Sequence, residues 1–357
     1  MSTDIKRPSF KDSWATRKGA RPQAISISQE DWVETGFIHA EERGPLVIRP
    51  KLRAMELAAW MESNREWVEA ELRRWGGILF RGFSLRSEDD FQAAVAATGI
   101  ALMDYIEGAT PRTEIKSKLY TSTEYPAEET IAPHNELCYV SVWPLKIFFF
   151  CLRAAETGGE TPVTDVRRVL TRLDPAVRKE FEAKGWMLVR NFGSGFGPSW
   201  QHSYRTESRE ELERYFRGAD IQFEWQGSER VRTRQVRPAV AVHPHTGEEI
   251  WFNHVAFWHI SRLKPSVRET FLAEFAPEDL PYNTYYGDGT PIPDEVVAHI
   301  DEAYQAETVA FPWQEGDLLM LDNMLIAHGR RPFSGPRRLL TSMGEPESRR
   351  GREIRRP

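Results

Sequence analysis

The strongest demand this chain places on its fold comes from three side chains far apart in sequence. His134 and Glu136 stand one residue apart, and His328 lies far downstream in the run Asp322-Asn-Met-Leu-Ile-Ala-His-Gly-Arg. Two imidazoles and one carboxylate form the ligand set that holds a non-heme ferrous ion on one face and leaves the other positions open for substrates. If His134 and Glu136 sit on one strand, the alternation of side chains points both to the same side. A neighbouring strand can then carry His328 to the third corner.

A His-x-Glu pair occurs by chance in many chains of this length and carries little alone. Its company carries more. His328-Gly-Arg-Arg-Pro-Phe followed by Gly335-Pro-Arg-Arg places charged groups in an apolar strand context, which packing does not ask for. Arg337 and Arg338 head the run Arg-Arg-Leu-Leu-Thr-Ser-Met, which reads as a last strand. A guanidinium there can grip a carboxylate through two parallel hydrogen bonds. On a strand only one of the two arginines can face inward.

Periodicity supplies the elements around these motifs. Leu57, Trp60, Met61, Trp67, Val68, Leu72 and Trp75 recur at three- and four-residue spacings and predict a helix closed by Gly76-Gly77. Gly77-Ile-Leu-Phe-Arg-Gly reads as a strand, and Ser87 with Asp90 opens a capped second helix that ends at Gly99. Leu145-Lys-Ile-Phe-Phe-Phe-Cys-Leu is a run of the kind buried in a sheet, and Gly158-Gly159 gives a turn before a strand carrying Thr161. Val240 to Phe252 predicts two strands joined by a turn at Pro244 to Gly247. Gly316 to Asp322 and Arg338 to Met343 close the set, and two helices are expected near Glu207 to Arg217 and from Pro265. Many short strands, with metal ligands on the first and last of them, fit a mainly β structure with flanking helices: a double-stranded β-helix, the jelly-roll barrel.

The 357 residues, with 40% apolar side chains, twelve Trp and nineteen Phe, suffice for a sizeable core. Residues 1–30 read as a flexible start, 31–345 as one domain with a lid or insert over about 187–300, and 346–357 as a basic tail. A net charge of −6 gives no reason to expect a nucleic-acid partner. The only cysteines, Cys138 and Cys151, are too few for a disulfide framework and fit a reducing compartment. Cys138 would share the metal-facing side of a continuous strand, but a thiolate suits softer sites, so it reads as packing. His243 and His245, and His254 with His259, lack a third ligand and read as turn and packing residues. With no secretory signal and no apolar stretch of about eighteen residues, the expectation is a soluble, cytoplasmic protein away from membranes.

Longer runs carry a resemblance. Pro133-His-Asn-Glu-Leu-Cys-Tyr, Gly158-Gly-Glu-Thr-Pro-Val-Thr-Asp, Asp322-Asn-Met-Leu-Ile-Ala-His-Gly-Arg-Arg-Pro-Phe and Gly335-Pro-Arg-Arg resemble the taurine dioxygenase-like family of Fe(II)/2-oxoglutarate oxygenases. More narrowly, they resemble the branch containing the syringomycin-pathway aspartate hydroxylase and, more distantly, clavaminate synthase. Gly77-Ile-Leu-Phe-Arg-Gly-Phe, Pro111-Arg and Tyr120-Thr-Ser-Thr-Glu-Tyr-Pro extend the likeness over about residues 75 to 345.

The resemblance implies that His134, Glu136 and His328 bind iron and that the Thr161 hydroxyl contacts 2-oxoglutarate. It also implies that the arginine after Gly335-Pro336 pairs with the distal carboxylate of that co-substrate, with Arg337 favoured by the Gly-x-Arg spacing and Arg338 as the alternative. Glutamate stands where the taurine enzyme has aspartate, which moves the subfamily more than the chemistry. Related halogenases lack the carboxylate, so Glu136 argues against halogenation. The implied reaction consumes dioxygen and 2-oxoglutarate, releases succinate and carbon dioxide, and hydroxylates an unactivated carbon. Its small-molecule substrate would be an amino acid or an amino-acid-derived metabolite, free or tethered to a carrier protein. Desaturation, ring closure or sulfonate-type cleavage on the same chassis is the second reading, and a jelly-roll binding protein without turnover is the third. Arg112, Asn253 and Trp258 are the candidate substrate contacts, and oligomeric state is left open.

Overall fold

The computed structural model describes residues 32–39, 44–103, 114–116, 118–121 and 125–349. Its centre is an eight-stranded sheet. In spatial order the strands are Val33–Gly36, Leu46–Pro50, Gly77–Phe80, Leu318–Asp322, Val142–Arg153, Arg338–Ser348, Leu119–Thr121 and Glu114–Lys116. All neighbours run antiparallel except Leu46–Pro50 beside Gly77–Phe80.

The twelve-residue strand Val142–Arg153 is apolar on both faces because both faces are covered. Phe148 and Phe150 point to one side, with Ile78, Phe80, Leu318 and Met320, and pack against the helices Leu57–Trp75 and Glu88–Ala97. Ile147, Phe149 and Cys151 point to the other side. There they share a core with Val163, Ile326 and Ala327 of a four-stranded sheet ordered Thr308–Val309, Val163–Asp165, Ile326–Arg330, Ile131–His134. Two sheets enclosing one apolar interior make the jelly-roll architecture. The mainly β jelly-roll reading is borne out, with the two sheets left open rather than closed into a barrel.

The flanking helices follow their sequence signals. Leu57–Trp75 ends on Gly76, whose φ of 74° lets its N–H reach the Leu72 carbonyl at 2.6 Å. Inside that helix Asn64 departs to φ −127° while its carboxamide donates to the Trp60 carbonyl, so a side-chain bond competes with the helical ladder at the kink. Glu88–Ala97 opens with a reciprocal capping box between Ser87 and Asp90.

The segment 187–300 contributes to a separate sheet ordered Gln222–Gln226, Arg230–Arg237, Trp186–Phe192, Tyr282–Tyr286. It also contains the predicted helices, at Arg209–Gly218 and Pro265–Glu274, and the hairpin Val240–Val242 with Glu249–Trp251. No helix among the described residues is long and apolar enough to cross a membrane.

Three expectations are corrected. Among the described residues, the strands carrying His134 and His328 are not the first and last: five strands precede the former and two follow the latter. Thr161 lies before the strand Val163–Asp165, not on it. Residues 346–348 are not tail but the end of the last strand, with Pro346, Glu347 and Ser348 opposite Pro144, Trp143 and Val142. Arg349 follows with its guanidinium on the Cys138 and Val140 carbonyls and over the Trp143 ring, because a cation that finds backbone acceptors and an aromatic face need not stay in water.

Candidate active site

The site is assembled at the edge of the smaller sheet. His134 ends the strand Ile131–His134 and stands directly opposite His328 in the antiparallel register, with the ring centroids 4.7 Å apart. Between His328 and Arg330 the register shifts, so three steps on one strand face two on the other. Gly329 occupies that irregularity because a Cβ there would lie 2.5 Å from the Ile131 carbonyl oxygen. The glycine of the His-Gly-Arg run is therefore a packing requirement of the strand pair that aligns the two imidazoles.

Glu136 does not share a strand with His134, contrary to the alternation expected. The strand stops at His134, and Glu136 sits in a turn in which Leu137 adopts φ 56°. The turn nevertheless brings the Glu136 carboxylate to 3.9 Å from His328 Nε2. One ligand atom from each of His134, Glu136 and His328 lies within 4.8 Å of the others, the only such group of His, Cys, Asp or Glu among the described residues. Glu136 and His328 are buried and His134 is half-buried.

The surroundings fix the orientation of these groups. His134 Nδ1 lies 2.9 Å from the Ala132 carbonyl, so it carries the proton and leaves the Nε2 lone pair for a metal. Phe149 covers the His328 ring at 5.0 Å, and Phe257 lies 4.8 Å from that of His134. His254 packs behind His134. Burial, and then the neighbouring His134, hold its pKa well below the usual histidine range. It is neutral there, accepting from the Trp258 indole at Nδ1 and donating from Nε2 to the Asn135 carbonyl.

A second cluster lies nearby. Thr161 is buried, and its hydroxyl accepts from the Trp313 indole at 3.1 Å, which leaves its own proton to donate elsewhere. Arg337 is drawn inward, with Nε donating to the Gly159 carbonyl at 3.1 Å. Burial, reinforced by the nearby Arg330, lowers its guanidinium to about 10, and no carboxylate among the described residues forms an ion pair with it. Arg338 points outward to an exposed pair with Glu88 at 2.5 Å. Arg337 stands just before the strand Arg338–Ser348 rather than on it, and of the two arginines it is the one that turns inward.

A chain of residues 44–343 matches the family described as "Taurine catabolism dioxygenase TauD, TfdA family". The protein belongs to that family. This TauD-family chain is 41% identical to the dapdiamide synthesis protein DdaC of Enterobacter agglomerans, over 78% of its own length and 85% of the relative's. It is 30% identical to a clavaminate synthase-like protein of Arabidopsis thaliana, over 84% and 93% of the two chains. In fold it is similar to the crystal structure of PvcB from Pseudomonas aeruginosa, with a TM-score of 0.52 at 16% identity, covering 91% of this chain and 95% of that one. The TauD-family chain is thus an Fe(II)/2-oxoglutarate-dependent oxygenase, and the family's chemistry uses ferrous iron, 2-oxoglutarate and dioxygen. Its donor set of two imidazoles and one carboxylate fits such an ion.

The other described sequence candidates fall outside this centre. Asn253 is spent on backbone, donating to Ala239 and accepting from Val255, although it borders a cavity of about 300 Å³ lined also by Pro133, Phe257, Trp258 and Tyr282. Trp258 reaches the site through His254 and Phe257, not directly. Arg112 lies outside the described residues. His243 and His245 pair with Asp322 and Glu345, and Cys138 is sealed in the core, where burial pushes its thiol up. Sequence reasoning missed Asn323, Asn135, Trp313 and Arg330, while His254 packs beside the site as expected. The signal for the first two was adjacency, since each stands beside a residue already singled out.

Proposed function

We propose that this oxygenase hydroxylates an unactivated carbon of an amino acid or amino-acid-derived small molecule, free or tethered to a carrier protein. One atom of dioxygen enters the substrate and the other enters succinate, as 2-oxoglutarate loses carbon dioxide. The observation that carries the reading is the convergence of His134, Glu136 and His328, whose ligand atoms lie within 4.8 Å of one another. These three residues would hold ferrous iron, which supplies the activation of dioxygen.

The remaining roles belong to the chain. The Thr161 hydroxyl donates to 2-oxoglutarate, and Arg337, a half-buried guanidinium that lies against the Gly159 carbonyl, takes the far carboxylate of that acid. Phe149 and Phe257 exclude water from the imidazoles. The segment 187–300 acts as the wall over the site through His254, Phe257 and Trp258. The dapdiamide synthesis relative supports a substrate drawn from amino-acid chemistry.

The test is an anaerobic titration of metal-free protein with ferrous iron and 2-oxoglutarate, followed by the weak visible charge-transfer band. Candidate amino acids are then ranked by how strongly each perturbs that band and stimulates succinate release. A product bearing one added oxygen atom supports hydroxylation. A desaturated or cyclised product of unchanged oxygen content overturns it, and absence of the band at every ratio tried overturns the site.

A further inference from the structure

The carboxylate ligand lies on a turn, where no strand ladder fixes its backbone, and the Asn323 side chain takes over that task. The Asn323 carboxamide oxygen accepts from the Glu136 N–H at 2.7 Å, and its nitrogen donates to the Glu136 carbonyl at 2.9 Å and the Pro144 carbonyl at 2.9 Å. One amide thus grips both backbone groups of a single residue. Asn135 returns a bond from the other side, donating to the Asn323 carbonyl at 2.6 Å.

Asn323 is itself held rigidly. It is fully buried in the turn after Leu318–Asp322, where Asp322 Oδ1 accepts from the Met324 and Leu325 N–H groups. Asp322 Oδ2 is held by the buried His243 at 3.1 Å and Lys146 at 3.5 Å. Because His243 Nδ1 accepts from the His245 and Thr246 N–H groups, the proton facing Asp322 sits on Nε2. A continuous polar line runs from this charge cluster through Asn323 to the turn that carries Glu136.

We infer that Asn323 is a positioning residue for the metal centre, setting the place of the Glu136 carboxylate and so the affinity and geometry of the bound ion. The inference rests on the metal-site reading above. It follows from geometry: a ligand on an irregular turn is no better placed than its backbone, and outer bonds that orient metal ligands typically govern affinity by about 10- to 100-fold.

The experiment titrates metal-free protein with Co(II) alone and reads both the dissociation constant and the d–d spectrum. Native protein should bind one ion, and Glu136→Ala should lose that binding. Asn323→Ala should bind about 10- to 100-fold more weakly with an altered spectrum. Asn191→Ala is the matched control. Asn191 is also buried, donates to the Glu278 and Leu280 carbonyls and accepts from Arg232. Its loss should lower the melting temperature and leave Co(II) affinity unchanged.

If Asn323→Ala does not fold, Asn323→Asp keeps the acceptor for the Glu136 N–H while losing the amide donors, and should show the same weakening. Should the folded Asn323 variant bind Co(II) with native affinity and spectrum while native protein binds through Glu136, the positioning role is wrong and the metal site stands. If native protein binds no ion, both readings fall.

Discussion

At the residue scale, the site separates groups by what each stands to lose. Replacing His134, Glu136 or His328 by alanine removes a donor from the three-donor set. Each variant should fail to develop the Fe(II)/2-oxoglutarate visible band, and succinate formation should fall by more than the roughly 100-fold upper range of outer-shell changes. The two arginines make a sharper pair. Arg337→Ala removes an inward guanidinium and should raise the KM for 2-oxoglutarate about 10- to 100-fold, the equivalent of a charged hydrogen bond. Arg338→Ala breaks only the exposed pair with Glu88 and should leave that KM near native. The reverse ranking in steady-state kinetics would show that the strand register in solution differs by one residue.

At the scale of elements, the site depends on how a helix end meets a strand. Gly76 closes the helix Leu57–Trp75 at φ 74°, and a Cβ there would lie 2.6 Å from Ile326 Cγ1. Ile326 begins the strand that carries His328. Gly76→Ala therefore combines a left-handed backbone with a clash. It should destabilise the protein by about 1–3 kcal/mol, seen as a lower thermal midpoint. A midpoint equal to native would show that the helix end relaxes away from the strand. The helix itself was legible from its apolar spacing and closing glycines, as was the strand Val142–Arg153 from its aromatic run. The Glu136 turn was not legible. His134-Asn-Glu136 fits a strand as well as a turn, and the bonds from Asn323 that make it a turn come from the far end of the chain.

At the scale of the whole molecule, the two sheets meet over one core, and the polar line from Lys146 to Asn323 runs beside it. Burial alone would raise the Asp322 pKa, but the His243 hydrogen bond and the Lys146 charge outweigh it and hold the carboxyl below its ordinary value. A depressed carboxyl contributes stability above its unfolded pKa of about 4, and that contribution is lost as the pH falls through the lower folded value. Burial likewise disfavours the Lys146 charge, yet Asp322, Glu69 and Glu345 raise its pKa, so its contribution persists until the pH exceeds that raised value. Asp322→Asn should cost about 3 kcal/mol near neutral pH by stranding part of a buried charge. Its denaturant midpoint should also fall less steeply between pH 5 and pH 3, a range set by an unfolded carboxyl pKa of about 4. An unchanged acid slope would remove Asp322 from the cluster. By itself the sequence determined the candidate donor residues, the family and the helices and strands whose signals are local periodicities. Only tertiary structure decided that Glu136 sits on a turn, that Arg337 rather than Arg338 turns inward, and that the Asn323 side chain bonds both backbone groups of Glu136, because each rests on a contact between residues that periodicity does not relate.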